Sequence, residues 1–141
     1  ISVLSKSVVA ASSIETKNRY EMVLADALQS KGEWKRSLQI LQAIDLTPTL
    51  PDDLRASNSF RMARLHQQLG NYAEAEKSYR GAIQTYKQLQ PGKPDELLLV
   101  YNSLAILFIQ LGNYAEAERL YVELLRQTDT FSGYYTTLQQ N

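Results

Sequence analysis

Gln68-Leu69-Gly70-Asn71-Tyr72-Ala73-Glu74-Ala75-Glu76 recurs letter for letter as Gln110-Leu111-Gly112-Asn113-Tyr114-Ala115-Glu116-Ala117-Glu118. The two copies start at 68 and 110, an offset of 42 residues, and identity over such a stretch marks an internal repeat. A weaker copy, Gly32-Glu33-Trp34-Lys35-Arg36-Ser37, lies 38 residues before Gly70 and again places an aromatic two residues after the glycine. Stretches of helical periodicity flank every copy, so the unit reads as helix, glycine turn, helix.

The chemistry of each turn explains the recurrence. Glycine at a helix end adopts the left-handed conformation that other residues reach only with strain. Asn71 and Asn113 follow as N-caps, with Glu74 and Glu116 three residues on in a capping-box pattern. Tyr72, Tyr114 and Trp34 put a large ring where two helices converge, and Ala75 and Ala117 are small enough to let them approach. In the first copy Ser37 takes the small slot and Glu33 replaces the Asn, which predicts a looser turn.

Working outward, the periodicity predicts helices near 13–31, 34–46, 52–69, 72–90, 95–111 and 114–127, with a seventh starting near 133. Ser12 with Glu15 reads as a capping box for the first. Pro51 and Pro94 suit first helical turns, and the acidic residues after each suit the helix dipole. Thr47-Pro48-Thr49-Leu50 and Pro91-Gly92-Lys93 are loops between units, too short to be domain linkers. The expectation is therefore one all-α domain over 1–141. Its repeats fall near 14–46, 52–90 and 95–127, and an extra terminal helix covers 133–141. The chain opens on Ile1 rather than Met and is expected to be part of a longer protein.

Composition narrows the function. With 15 basic and 15 acidic residues the chain is formally neutral, which argues against a general nucleic-acid or anionic-membrane binder. Absence of cysteine rules out disulfides, Cys-ligated zinc and thiol chemistry, and one histidine, His66, cannot build a multi-histidine metal centre. No apolar run approaches the roughly 18 residues of a membrane helix. His66 falls on the face that packs within the repeat, in the slot that Phe108 fills in the next copy, so it reads as a core residue rather than a general base. Asp52-Asp53 and Asp95-Glu96 stand at equivalent helix starts and read as dipole partners rather than metal ligands. Neither a nucleophile elbow, a phosphate loop nor a zinc spacing occurs, so no enzyme and no cofactor are expected.

The repeat resembles the tetratricopeptide repeat (TPR) family. The resemblance covers roughly 14–127 and is carried by Leu104, Ala105, Phe108, Gly112, Tyr114, Ala117 and Tyr121 in the third copy. Met62, Ala63, His66, Gly70, Tyr72, Ala75, Tyr79 and Ala82 carry it in the second, and Leu24, Ala25, Leu28, Gly32, Trp34, Ser37, Leu41 and Ile44 in the first. The usual unit of the family is 34 residues. The 42-residue unit, with Tyr101-Asn102-Ser103-Leu104-Ala105-Ile106-Leu107, is similar to those of kinesin light chain and its relatives. The resemblance implies a right-handed superhelix, an α-solenoid of antiparallel hairpins whose first helices line a concave face.

By the register of the repeat, the side chains facing that groove are Arg19, Met22, Asp26 and Gln29, then Ser57, Phe60, Arg61, Arg64 and Gln67, then Leu99, Asn102, Ser103, Ile106 and Ile109. Residues 97–111 are apolar nearly all round, and such a helix is covered on every face. Two covers are open for Leu99, Ile106 and Ile109: a partner, or second helices lengthened by the eight extra residues. In kinesin-light-chain-like repeats an asparagine at the place of Asn102 hydrogen-bonds a bound peptide backbone; Phe60 and Met22 hold that place in the other copies. A chaperone-tail clamp is not expected, because Asp26 stands where a bound carboxylate would be repelled.

The leading expectation is a non-enzymatic scaffold that binds a partner peptide or helix in the groove through Phe60, Arg61, Arg64, Gln67, Leu99, Asn102, Ser103, Ile106 and Ile109. Its partner is a protein, not a nucleic acid or a membrane, and its compartment the cytoplasm. The rival is a structural module that self-associates through the apolar third repeat and the exposed ends.

Overall fold

The computed structural model describes residues 3–89 and 92–140, with side chains described over 13–89 and 92–127. Its helices are α1 (Val3–Ser30), α2 (Trp34–Asp45), α3 (Asp52–Gln68), α4 (Tyr72–Gln88), α5 (Pro94–Gln110) and α6 (Tyr114–Gln140). No strand occurs among the described residues. Neighbours in sequence are neighbours in space, and α1 also touches α3. The hairpins α1–α2, α3–α4 and α5–α6 thus stack into the all-α solenoid that the repeat implies.

Each hairpin turns on a glycine of positive φ: Gly32 (87°), Gly70 (82°) and Gly112 (77°). The same two backbone bonds close all three turns. Asn71 N–H donates to His66 O at 2.8 Å and Gly70 N–H to Gln67 O at 3.2 Å; Asn113 and Gly112 repeat this with Phe108 and Ile109 at 2.8 and 3.0 Å. This is the Schellman motif, which satisfies carbonyls the helix leaves open. The first turn is not looser: Glu33 N–H reaches Leu28 O at 2.9 Å and Gly32 N–H reaches Gln29 O at 3.0 Å. Its closure uses only backbone groups, so exchanging Asn for Glu costs it nothing. The capping box is correspondingly weak. Asn71 makes no side-chain cap bond, and Asn113 Oδ1 accepts from Glu116 N–H only at 3.4 Å.

Two boundaries differ from expectation. Helical backbone begins at Val3 rather than 13, because 3–12 contains no Gly or Pro to stop it. Ser12 therefore lies inside α1, and Glu15 pairs with Arg19 at 2.9 Å instead of capping. A separate seventh helix is absent as well: α6 continues through 133 to Gln140.

The core lies between helices, in two clusters. Met22, Ala25, Leu38, Leu41, Ile44, Leu50, Leu54 and Leu65 join α1–α3, and a larger set built around Tyr79, Val100, Tyr101, Leu104, Leu107 and Phe108 joins α3–α6. Ala75 and Ala117 fill the small slots, and Ser37 fills the third, its hydroxyl donating to Ala25 O at 2.6 Å. Asn58 is buried between α2 and α3, with Nδ2 donating to Leu41 O at 2.9 Å. Arg55 ties down the first inter-repeat loop through Thr47 O at 2.9 Å and Asp45 O at 3.1 Å. Two first-copy assignments are corrected. Met22 is buried rather than facing the groove, and Leu24, counted as packed, is exposed because neither α2 nor α3 covers its side of α1.

Candidate functional site

The first helices α1, α3 and α5 are laced together by side chains at equivalent places. Gln29 Nε2 donates to Gln68 Oε1, and Gln67 Nε2 donates to Gln110 Oε1, both at 2.8 Å. Each bond runs from one copy to the next position of the following copy, so the amides act as a rung repeated with the unit. Tyr79 completes the second rung, its hydroxyl donating to Gln67 Oε1 at 2.7 Å. Burial pushes the Tyr79 phenol up to about 12, with the nearby Arg64 charge opposing in part, so it stays a donor at neutral pH.

Hollows open beside these rungs. One, of about 330 Å³ between α3 and α5, is lined by Arg64, Gln67, Gln68, Tyr79, Ser103, Ile106 and Gln110. The other, of about 440 Å³ between α1 and α3, is lined by Asp26, Gln29, Ser30, Gly32, Trp34, Arg64 and Gln68. Arg64 and Gln68 border both, so Arg64 stands at the middle of the laced face. It is exposed, and no carboxylate pairs with it among the described residues. Its guanidinium carbon lies 5.8 Å from the centroid of Phe60, whose ring sits 6.0 Å from that of Tyr79. A cation held over an aromatic keeps its hydrogen-bonding edge available.

The nine residues expected to face a partner divide sharply. Arg61 is committed within the chain: it forms a two-pronged pair with Asp26 at 3.0 and 3.1 Å and also donates to Ser57. Asp26, expected to repel a carboxylate, instead neutralises Arg61. Gln67 spends its donor on Gln110 and its acceptor on Tyr79. Ser103 turns its hydroxyl back to Leu99 O at 2.9 Å. Uncommitted are Arg64, apart from its stacking on half-buried Phe60, and half-buried Asn102, whose amide makes no hydrogen bond among the described residues; Phe60 itself packs against the core beside Tyr79. Leu99, Ile106 and Ile109 are 51%, 48% and 41% exposed, so the lengthened second helices do not cover them.

The residues considered for chemistry fall elsewhere. His66 is buried in the repeat interior, and burial lowers its imidazole pKa, with Glu74 opposing. Asp52-Asp53 and Asp95-Glu96 occupy the first turns of α3 and α5. Among the described residues no group of three or more acidic, His or Cys side chains is placed to hold a metal, and no helix is long and apolar enough to cross a membrane.

Sequence reasoning missed the amide rungs and the Asp26–Arg61 pair. For the rungs a signal existed, since Gln precedes Leu-Gly in both identical copies. The ion pair had none, because it joins two copies at places where the repeat does not match.

A tetratricopeptide repeat family model matches residues 53–128, more than half of the chain and nearly all of its second and third copies. No curated protein sequence matches it. Among solved structures, BtubC (BKLC) from P. vanneervenii aligns with a TM-score of 0.66 at 20% identity, over 94% of this chain and 60% of that one. The TPR domain of Arabidopsis FLU aligns with a TM-score of 0.65 at 14% identity, over 83% of this chain and 98% of that domain. At these identities the likeness is one of fold, and this chain spans only 60% of the BtubC chain.

Proposed function

Because the chain belongs to the tetratricopeptide repeat family, whose members serve as protein-interaction scaffolds, we propose that it is non-enzymatic and binds a partner peptide or helix along α3 and α5. The observation that carries this reading is Arg64: an exposed cation without a carboxylate partner among the described residues, backed by Phe60, facing a hollow bordered by Ile106. An unpaired guanidinium beside exposed aliphatic side chains suits a segment carrying an acidic residue next to aliphatic ones. The aliphatic contacts with Leu99, Ile106 and Ile109 supply most of the affinity. Arg64 fixes register, and the Asn102 amide, which donates and accepts at once, meets the partner backbone. The neutral net charge and the commitment of Arg61 to Asp26 favour a protein partner over a nucleic acid.

The test is a selection of short random peptides displayed on phage, followed by affinity measurement on the winners. Enrichment of acidic-aliphatic peptides, with binding lost in Arg64→Glu and weakened at least tenfold in Asn102→Ala, supports the groove. Winners that bind both variants as well as the parent, with helicity unchanged, would place binding elsewhere on the molecule.

A further inference from the structure

Away from the groove, the edge of the solenoid where the hairpins turn carries a second open surface. A hollow of about 440 Å³ lies between the first turn and the second, lined by Gly32, Glu33, Trp34, Lys35, Arg36 and Leu69. Leu69 packs against the α1–α3 core cluster and so gives the hollow an apolar wall fixed in place. Trp34 supplies the other wall. It holds the place of Tyr72, which is half-buried against the core, yet it remains 36% exposed. Its indole N–H makes no hydrogen bond among the described residues, so the ring offers an unspent donor as well as a large apolar face.

Charge singles this turn out. The second and third copies place Ala73-Glu74 and Ala115-Glu116 in the first turns of α4 and α6, where a carboxylate suits the helix dipole. The first copy places Lys35-Arg36 there, and the first turn of α2 holds no acidic residue. Two cations at that end oppose the dipole, so local helix stability disfavours them. Glu33 pairs with Arg36 at 3.3 Å, and Lys35 has no carboxylate partner among the described residues. The mouth of the hollow therefore keeps a positive charge in excess, where the matching places of the other copies carry Glu.

We propose that this edge docks an acidic segment of a partner protein, which seats one large apolar side chain between Trp34 and Leu69 and sets its carboxylates against Lys35 and Arg36. Apolar contact supplies the affinity, and the surplus charge selects the sequence around the anchor. A lipid bilayer fits less well. Anionic membranes are held by clusters of about 4–8 basic residues. Here Lys35 and Arg36 stand with Glu33 beside them. None of the nine groove residues lines this hollow, so the docking stands independently of the groove reading.

Trp34 is the only tryptophan of the chain, so its fluorescence reports on this hollow. The probe is a phage library of acidic peptides, each with one central apolar residue varied, selected on the parent chain. The winners, made as synthetic peptides, should shift the emission to the blue at saturation and lose affinity as salt rises. Lys35→Ala/Arg36→Glu, which installs the residues of the second turn, should bind them at least about tenfold more weakly with helicity unchanged. Arg64→Glu should bind them as the parent does. The proposal is overturned if no peptide is enriched, if saturation leaves the emission unmoved, or if the turn variant binds as tightly as the parent. Binding lost in Arg64→Glu likewise overturns it and leaves the groove reading standing. So do phosphatidylserine vesicles that shift the emission where the peptides do not, an outcome that gives the edge to a membrane.

Discussion

Replacing Gly70 and Gly81 by alanine separates turn conformation from helix propensity within one hairpin. Gly70 has φ of 82°, and a Cβ built there meets nothing within 4 Å. The whole effect of Gly70→Ala is therefore conformational. The left-handed region costs an L-residue about 1–2 kcal/mol, and the stiffer unfolded chain returns about 0.4–1 kcal/mol. A net loss of up to about 1.6 kcal/mol, centred near 0.8 kcal/mol, follows. Gly81 lies inside α4 with the same open space around its Cβ. There Ala should add about 0.5–1 kcal/mol, because glycine gives up more backbone freedom in a helix than any other residue. Both positions report on the same cooperative unit, so the comparison survives any loss of two-state behaviour along the array. Urea unfolding followed by far-ultraviolet circular dichroism should place the two midpoints on opposite sides of the parent. In melting temperature the gap is several degrees, at about 3 °C per kcal/mol for a chain of this size. Gly70→Asn is the control: asparagine tolerates the left-handed region and should fall between Gly and Ala. Shifts of the same sign for both alanines, or an Asn variant worse than Ala, would refute the turn assignment and the reasoning built on it.

Asp26→Ala and Arg61→Ala, combined in a double-mutant cycle, should give a coupling of about 0.5–1 kcal/mol, the upper end for a partly exposed pair with two-pronged geometry. A coupling indistinguishable from zero would mean that Arg61 is available to a partner after all. Stability should also fall with acid because of His66. Burial holds its folded pKa below the ordinary 6.5, and its Nδ1 is buried without a partner. As pH drops below 6.5 the unfolded chain takes up the proton first. Stability is then lost progressively, and the loss levels off once pH passes below the folded value. His66→Phe, which installs the residue found at the matching place in the third copy, should flatten that part of the pH profile. Equal slopes in parent and variant would show that the imidazole is solvated.

The repeat, the hairpin topology and the three turns were legible in the chain because they rest on local physics. A glycine in the left-handed region, bonds spanning five residues and an apolar period of one helical turn all act within a few residues of each other. The candidate groove was legible only as a list. Which of its members remain uncommitted depends on contacts between copies: Arg61 reaches Asp26, 35 residues away, and Gln67 reaches Gln110, 43 residues away. Those pairings follow from how one hairpin sits against the next, which no local pattern specifies. Tyr72 and Tyr114 make the division plain. Their nine-residue contexts are identical, yet one ring packs against the core and the other stands in solvent. Burial is a property of what lies opposite a side chain, and that is set by tertiary packing rather than by the word that contains it.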